Sequence, residues 1–257
     1  MNLFVPAMVG FGLTVMLAQP VIERPMAIRV FTTRAIATVL DKIGPEFERA
    51  TGHKLIVITD VAVRMVRRIH AGEPFDFLVA APEQIDGLIK QGKIIADTRT
   101  DLARSGIGVE VRAGTPKPDI SSVEAFKRTL LNAKSIAYLR EGQSGVYLAA
   151  MIERLGLADA LESKVTRPDA DIVSELVAKG EVELGMVVVT QILTTPGVTL
   201  VGALPAELQS YIVFTAGVST NSQLPSATKD LIKFLTGSSA ITAMRSQGME
   251  PWADVRR

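Results

Sequence analysis

The sequence has no cysteine and only two histidines, His53 and His70, among its 257 residues. Disulfides, zinc thiolates, iron–sulfur clusters and thiol nucleophiles are therefore excluded, and a histidine metal cluster is not expected. Aromatic residues make up 5% of the chain, and 28 Lys and Arg are balanced by 27 Asp and Glu. The chain thus lacks the basic surface and the stacking residues of a nucleic-acid-binding protein. We expect no metal, no cofactor and no nucleic-acid partner.

The first 22 residues carry no charged side chain, and the apolar run from Leu3 to Ala18 has the length of a signal-peptide core. No Lys or Arg precedes this run, however, and it is short for a membrane span. Residues 1–25 are predicted to be a signal peptide or a spurious N-terminal extension. The first case, which we favour, predicts a periplasmic protein, whereas translation from Met26 predicts a cytoplasmic one.

Short apolar strands alternate with helical patterns after Met26, which is typical of an α/β fold with mainly parallel sheets. In the first helix Leu40, Ile43 and Phe47 have helical spacing, and Gly52 is placed to end it. Strands are predicted at 28–31, 55–58, 75–80, 105–112, 135–139, 184–189, 198–201 and 211–218. Further helices are predicted at 61–70, 83–91, 146–155, 172–179, 226–235 and 238–247, and one more begins after Ser121 and Ser122.

Polar side chains occupy four positions at which a predicted strand gives way to a helix. Ligands of open α/β sheets bind outside the carboxyl ends of the strands, so the four junctions are predicted to line one cleft. Helix amino ends supply backbone N–H donors, and hydroxyl and guanidinium groups add others, so the expected ligand is a small anion. The candidate binding residues are Thr32, Thr33, Arg34, Thr59, Asp60, Val61, Arg140, Gln143, Ser144, Gly145, Val188, Thr190 and Gln191.

Each of these residues also has a purely structural explanation. Ser, Thr and Asp at helix starts are usually N-caps, and an arginine is usually a solvated charge. Thr32 or Thr33 alone would be interpreted as a cap. Asp60 is predicted to be one, because its carboxylate would repel an anionic ligand unless it served as a base. The functional interpretation depends on all four junctions occurring together.

Several segments resemble the periplasmic molybdate-binding proteins and, more widely, the type II solute-binding proteins of ABC transporters. They are PEFERATGHKL (45–55), IHAGEPFDFLVAAPEQIDGLIKQGKI (69–94), AMIERLGL (150–157) and ELVAKGEVELGMVVVTQIL (175–193). The resemblance extends over nearly the whole chain from Ile28, and it implies a two-lobed Venus-flytrap fold with two mixed, mainly parallel sheets. It places residues 26–107 and 212–257 in one lobe and 108–211 in the other. It also implies an ABC transporter permease as partner, and we expect a monomer.

The first two junctions depart from the Ala-Ser-Ser or Ser-Ser sequences of the molybdate-binding members. This chain has Thr-Thr-Arg at 32–34 and Thr-Asp-Val at 59–61. Arg34 and Arg140 would each offer a planar fork that suits a carboxylate better than a tetrahedral oxyanion. The resulting prediction is a binding protein for an organic (poly)carboxylate, or else for a molybdate-like oxyanion, with no assigned catalytic residue.

Aconitate isomerase resembles the same family, and it provides an alternative from another class of protein. Such an enzyme would need carboxylate-binding arginines and a group that moves a proton between allylic carbons. Asp60, Glu141 or Tyr138 would be that group if burial tuned its pKa. A third hypothesis, a cytoplasmic ligand-sensing protein, follows if translation begins at Met26.

Overall fold

The computed structural model describes residues 27–255, so the predictions about a signal peptide and about Met26 lie outside the described residues. Among the helices of the described range, none combines the length and the apolar character needed to span a membrane. The strands are β1 (Ala27–Thr32), β2 (Lys54–Thr59), β3 (Phe77–Ala80), β4 (Thr100–Arg112), β5 (Ile136–Ala137), β6 (Val165–Thr166), β7 (Leu184–Val188), β8 (Val198–Ala203), β9 (Tyr211–Val218) and β10 (Glu250–Pro251).

Helices follow most of these strands, as the alternating pattern predicts. They are α1 (Arg34–Thr51), α2 (Ala62–His70), α3 (Pro82–Lys90), α4 (Val123–Asn132), α5 (Gln143–Arg154), α6 (Ala158–Leu161), α7 (Val173–Lys179), α8 (Val189–Thr194), α9 (Pro225–Leu235), α10 (Ser238–Ser246) and α11 (Trp252–Val255). The helix α1 buries one apolar face that includes Ile36, Leu40 and Phe47. It ends at Gly52, whose φ of 75° requires a left-handed conformation that glycine adopts without strain.

The long strand β4 joins two mixed sheets, which form the two lobes of an α/β fold. In the first sheet the order is β2-β1-β3-β9-β4, with β1 parallel to β2 and β3, and with β9 antiparallel to β3 and β4. In the second sheet β4 lies between β7 and β8 and runs antiparallel to both, and β5 continues the sheet parallel to β7 and β6. The predicted two-lobed architecture is confirmed.

The chain passes between the lobes at two adjacent places. Within β4, Gly106 pairs with Tyr211 of the first sheet, and Ile107 pairs with Val188 of the second. The returning connection between β8 and β9 carries Gln209, whose Nε2 donates to the Ile107 carbonyl at 3.0 Å and whose Oε1 accepts from the Ile107 amide at 2.9 Å. The side chain of Gln209 therefore fastens the two crossings together. The lobe boundaries at 107 and 212 stay predictions, and both lie beside these crossings.

Two elements differ from prediction in ways that affect the site. The helix α5 begins at Gln143 rather than at Val146, so the polar segment 142–145 forms its cap and first turn instead of a loop. The strand predicted to run to Val189 ends at Val188, and the short helix α8 follows at once. Both changes place helix amino ends closer to the strand ends than the sequence indicates.

Candidate functional site

A cavity of about 90 Å³ lies between the lobes. One water needs about 10–15 Å³ of such space, so the cavity has room for several waters or for one small ligand. Each of the four predicted junctions contributes to its lining, and so do three further segments: the start of α3, the region before α7 and the middle of β9. Its polar lining residues are Thr33, Arg34, Asp60, Gln84, Gln143, Ser144, Asp171 and Gln191.

Helix amino ends surround the cavity. Lining residues belong to the caps or first turns of five helices, namely α1, α2, α3, α5 and α8. The first amides of a helix have no acceptor within the helix, and the helix dipole places partial positive charge at the same end. The arrangement therefore favours an anion without requiring a metal or a cofactor.

Thr33 lines the cavity with a hydroxyl that the protein leaves unused. It is the N-cap residue of α1, but its side chain makes no capping hydrogen bond. Its Oγ1 is buried and has no hydrogen-bond partner among the described residues, and the same is true of Thr32 Oγ1 in the adjoining strand. Thr33 thus occupies the N-cap position, but neither hydroxyl acts as a capping acceptor. A buried hydroxyl without a partner is unfavourable, so this part of the cavity is suited to a ligand that accepts a hydrogen bond.

Arg34 reaches across the cleft to the second lobe. Its guanidinium forms an ion pair with Glu175, its Nε lies 3.6 Å from Asp171 Oδ2, and its third nitrogen donates to the Asp171 main-chain carbonyl. A second pair between the lobes joins Arg67 to Glu141 at 2.8 Å. The two pairs hold the lobes together across the cavity. The guanidinium of Arg34 therefore lies in the cavity wall and is already paired with groups of the protein.

Asp60 lies in the cavity wall, where two arginines balance its charge. Its Oδ1 accepts hydrogen bonds from Arg64 at 2.8 Å and from the Val61 amide at 2.7 Å, and its Oδ2 lies 3.6 Å from Arg68. Val61, not Asp60, is the N-cap of α2, so the prediction of a capping aspartate is wrong by one position. With these partners the carboxylate costs an anionic ligand less repulsion than an isolated charge would.

Arg140, Glu141 and Tyr138 lie outside the cavity lining. Arg140 is more than half exposed and pairs with Asp169 at 2.8 Å, so it does not form the second arm of a carboxylate clamp as predicted. Glu141 is occupied by Arg67. Tyr138 lines a separate pocket on the second lobe, and burial raises the pKa of its phenol. Geometry thus disfavours Glu141 and Tyr138 as proton carriers in the cleft.

The remaining candidates fall into two groups. Gln143, Ser144, Val188 and Gln191 line the cavity as predicted residues of the third and fourth junctions. Three others have different surroundings: Gly145 is buried behind the first turn of α5, Thr190 bonds to Ser105 Oγ at 3.1 Å, and Thr59 is exposed. At Gly145 any Cβ would overlap the Leu139 carbonyl oxygen, so only glycine lets α5 begin this close to the strand end. None of these three contributes a side chain to the cavity.

Asp171 is the functional candidate that the sequence does not reveal. It lies just before α7, lines the cavity, and accepts a hydrogen bond on Oδ1 from Gln191 Nε2 at 2.9 Å. Burial raises the pKa of its carboxyl above the usual 3.8, while Arg34 and Gln191 oppose the rise and Glu175 and Asp60 add to it. No strand end or motif marks this position. The Ala81-Pro82 start of α3, by contrast, is a strand-to-helix junction that the sequence does show.

Glu110 is buried behind the cavity wall, near the acidic side chains of Asp171 and Glu175. It lies in β4 with no exposed surface and accepts a hydrogen bond from Ser174 Oγ at 2.9 Å. Burial raises its pKa from 4.5 to about 7, and nearby Glu175 and Asp171 contribute to the rise. The wall of the second lobe is thus acidic and is faced by the guanidinium of Arg34.

Two lobes joined by adjacent crossings, with helix amino ends converging on the cleft between them, define a Venus-flytrap binding protein for small anions. The chain belongs to the family of bacterial extracellular solute-binding proteins, whose family model matches residues 28–250. The resemblance stated from the sequence segments is confirmed.

Proteins similar to this chain include both an isomerase and molybdate-binding proteins. Aconitate isomerase from a Pseudomonas species is 32% identical over 240 residues, covering 91% of this chain and 90% of the relative. The molybdate-binding protein ModA of Escherichia coli strain K12 is 24% identical over 213 residues, covering 80% and 81%. Among solved structures, the periplasmic molybdate-binding protein of Azotobacter vinelandii has a TM-score of 0.73 at 19% identity, covering 86% of this chain and 98% of that one.

Proposed function

We propose that the cleft between the lobes binds a small organic carboxylate, with di- and tricarboxylates as the expected class. The observation that carries this proposal is the combination of helix amino ends with an apolar wall. The amino ends suit carboxylate oxygens, and the wall suits a carbon skeleton, which a tetrahedral oxyanion such as molybdate lacks. The apolar lining residues are Ala35, Val61, Ala62, Ala80, Ala81, Leu139, Val188, Ile212, Val213 and Phe214.

Thr33 and Ser144 are the hydroxyl donors of the proposed site, one from each lobe. A ligand held by both would favour the closed arrangement of the lobes, because only that arrangement brings both donors to the same molecule. In this proposal Arg34 supplies positive charge to the cavity while it also pairs with the second lobe. Arg140 has no ligand contact.

The family and the ligand class together suggest uptake. We propose that the mature protein is periplasmic and acts as a monomer that passes its ligand to an ABC transporter permease. Membership of the extracellular solute-binding family supports export. A cytoplasmic sensing role remains the competing hypothesis, and the mass of the mature N-terminus from the native host distinguishes the two.

A thermal-shift panel with trans-aconitate, citrate, tricarballylate, molybdate, tungstate, sulfate and phosphate tests the ligand class, since a ligand that binds only the folded state stabilises it by mass action. We expect stabilisation by the tricarboxylates. Stabilisation by molybdate and tungstate alone would overturn the proposal.

Thr33→Val sharpens the test, because it removes a buried hydroxyl that has no protein partner. The unliganded variant should be no less stable than the wild type, whereas ligand affinity should fall by about 10- to 100-fold, the cost of about 1.5–3 kcal/mol for a hydrogen bond to a charged group. Thr115→Val, at an exposed turn, is the matched control and should change neither property. A Thr33→Val variant with lower stability and unchanged affinity would show that the hydroxyl is structural.

The second candidate function is isomerisation of an unsaturated tricarboxylate, as in aconitate isomerase. Two observations favour it: the 32% identity to that enzyme over 91% of this chain, and a partly buried carboxyl, Asp171, in the cavity wall. Incubation of the purified protein with trans-aconitate, followed by proton NMR, tests it. Appearance of cis-aconitate supports the enzyme. Binding of trans-aconitate without conversion would overturn the isomerase and leave a binding function.

A further inference from the structure

The isomerisation needs one group that takes a proton from carbon and returns it to another carbon. In trans-aconitate the methylene protons lie next to both a carboxylate and a carbon–carbon double bond, so removing one gives a conjugated dienolate. Returning the proton to the former vinyl carbon moves the double bond and allows the cis isomer to form. One proton is removed and one is added, so the step requires no oxidant, reductant or other reactant.

Three carboxyl groups near the cleft could in principle do this, and their contacts differ. The Oδ1 of Asp60 accepts hydrogen bonds from Arg64 and from the Val61 amide, and its Oδ2 lies 3.6 Å from Arg68, so two guanidinium groups lie beside this carboxylate. Glu175 is paired directly with Arg34, and it is not part of the cavity lining. Asp171 lines the cavity, its Oδ1 accepts from the neutral amide of Gln191, and its Oδ2 is 3.6 Å from Arg34 Nε, so one guanidinium lies beside it where Asp60 has two.

We propose that Asp171 is the catalytic residue that carries this proton, as an extension of the second candidate function. Its Oδ1 is held by Gln191 Nε2 at 2.9 Å, and Gln191 is itself buried, so the carboxyl is fixed with Oδ2 available. Burial raises the pKa of Asp171, which makes its carboxylate a stronger base than an exposed aspartate. The charged groups that face it are Arg34 from α1, Glu175 from α7 and Asp60 from the start of α2.

The helix amino ends around the cavity support this assignment, because they can stabilise the negative charge of the dienolate. Negative charge moves onto the substrate carboxylate as the dienolate forms, and preorganised N–H donors stabilise such charge most effectively in a site that excludes water. The first turns of α1 and α5 supply these donors together with the hydroxyls of Thr33 and Ser144. A single carboxyl would then remove and return the proton on one face of the substrate.

The test compares Asp171→Asn with Asp169→Asn, a neighbouring exposed aspartate that pairs with Arg140. We expect Asp171→Asn to lower kcat for trans-aconitate by about 10²- to 10⁴-fold, the usual contribution of general acid–base catalysis, while the thermal shift with trans-aconitate persists. Asp169→Asn should keep wild-type kcat. Asp171→Asn should also lose the exchange of substrate methylene protons for deuterium, which NMR in deuterium oxide measures.

Asp171→Glu provides a second variant that keeps a carboxyl. It should retain partial activity with an altered pH profile, because the longer side chain moves the carboxyl relative to Gln191 and Arg34. If Asp171→Asn keeps the wild-type kcat and proton exchange, the assignment of Asp171 is overturned, while the isomerase function still stands. An inactive wild-type protein that still binds trans-aconitate would instead overturn the isomerase function, and with it this assignment.

Discussion

The buried carboxyl of Glu110 makes a quantitative prediction about stability and pH. Its pKa is raised from 4.5 to about 7 in the folded protein, whereas the unfolded chain has the ordinary value. Between these values the folded state retains a proton that the unfolded state has released, so stability falls as the pH rises. At about 1.4 kcal/mol per pH unit, the free energy of unfolding should drop by about 3 kcal/mol between pH 4.5 and pH 7 from this group alone.

Glu110→Gln removes this dependence, because the amide has the same shape, cannot ionise and keeps an oxygen for the Ser174 hydroxyl. The variant should match the wild type at pH 4 and exceed its stability by up to about 3 kcal/mol at pH 8. Urea unfolding followed by circular dichroism at both pH values measures the difference, and other titrating groups cancel between the two proteins. Glu124→Gln, at a side chain that is 71% exposed, is the control. Equal losses of stability in wild type and Glu110→Gln would refute the reasoning.

Two further substitutions test the geometry of the cleft. Gly145→Ala should lower stability by about 1–3 kcal/mol or more, because the added Cβ overlaps the Leu139 carbonyl. It should also weaken ligand binding, because the start of α5 is displaced. A variant with wild-type melting temperature and ligand affinity would contradict the close packing. Arg34→Ala should open the unliganded lobes and increase the radius of gyration in small-angle X-ray scattering, because it removes the pairs with the second lobe. Arg140→Ala, which breaks only an exposed pair with Asp169, is its control. An equal radius of gyration for the two variants would contradict the role of Arg34 in holding the lobes together.

Most of the fold could be predicted from the sequence, because apolar periodicity and helix stops are local signals. The strand β1, the helix α1 and the stop at Gly52 occur close to their predicted positions. The two-residue strand β5 and the helix α8 did not follow the prediction. The run Val187–Val189 has the β-branched character of a strand, yet its last residue begins a helix, since contacts between elements override local propensity there.

The site was predictable where it depends on strand ends and unpredictable where it depends on partners in the other lobe. The four junctions lie around one cavity because the parallel strands of each sheet bring their carboxyl ends to one edge, and both edges contribute to the cleft. The roles of the charged residues required the structure. Arg34 and Arg140 look alike in sequence, but one contacts the acidic residues of the facing lobe and the other pairs at the surface. Asp171 is brought to the cavity only by the packing of the second lobe.

In the proposed function the cleft prefers an organic carboxylate to a tetrahedral oxyanion. Isothermal titration calorimetry of the purified protein with trans-aconitate and, separately, with molybdate measures this preference most directly. We predict that trans-aconitate binds at least about tenfold more tightly than molybdate, a difference of about 1.4 kcal/mol. Tighter binding of molybdate, with no heat from any tricarboxylate, would contradict it.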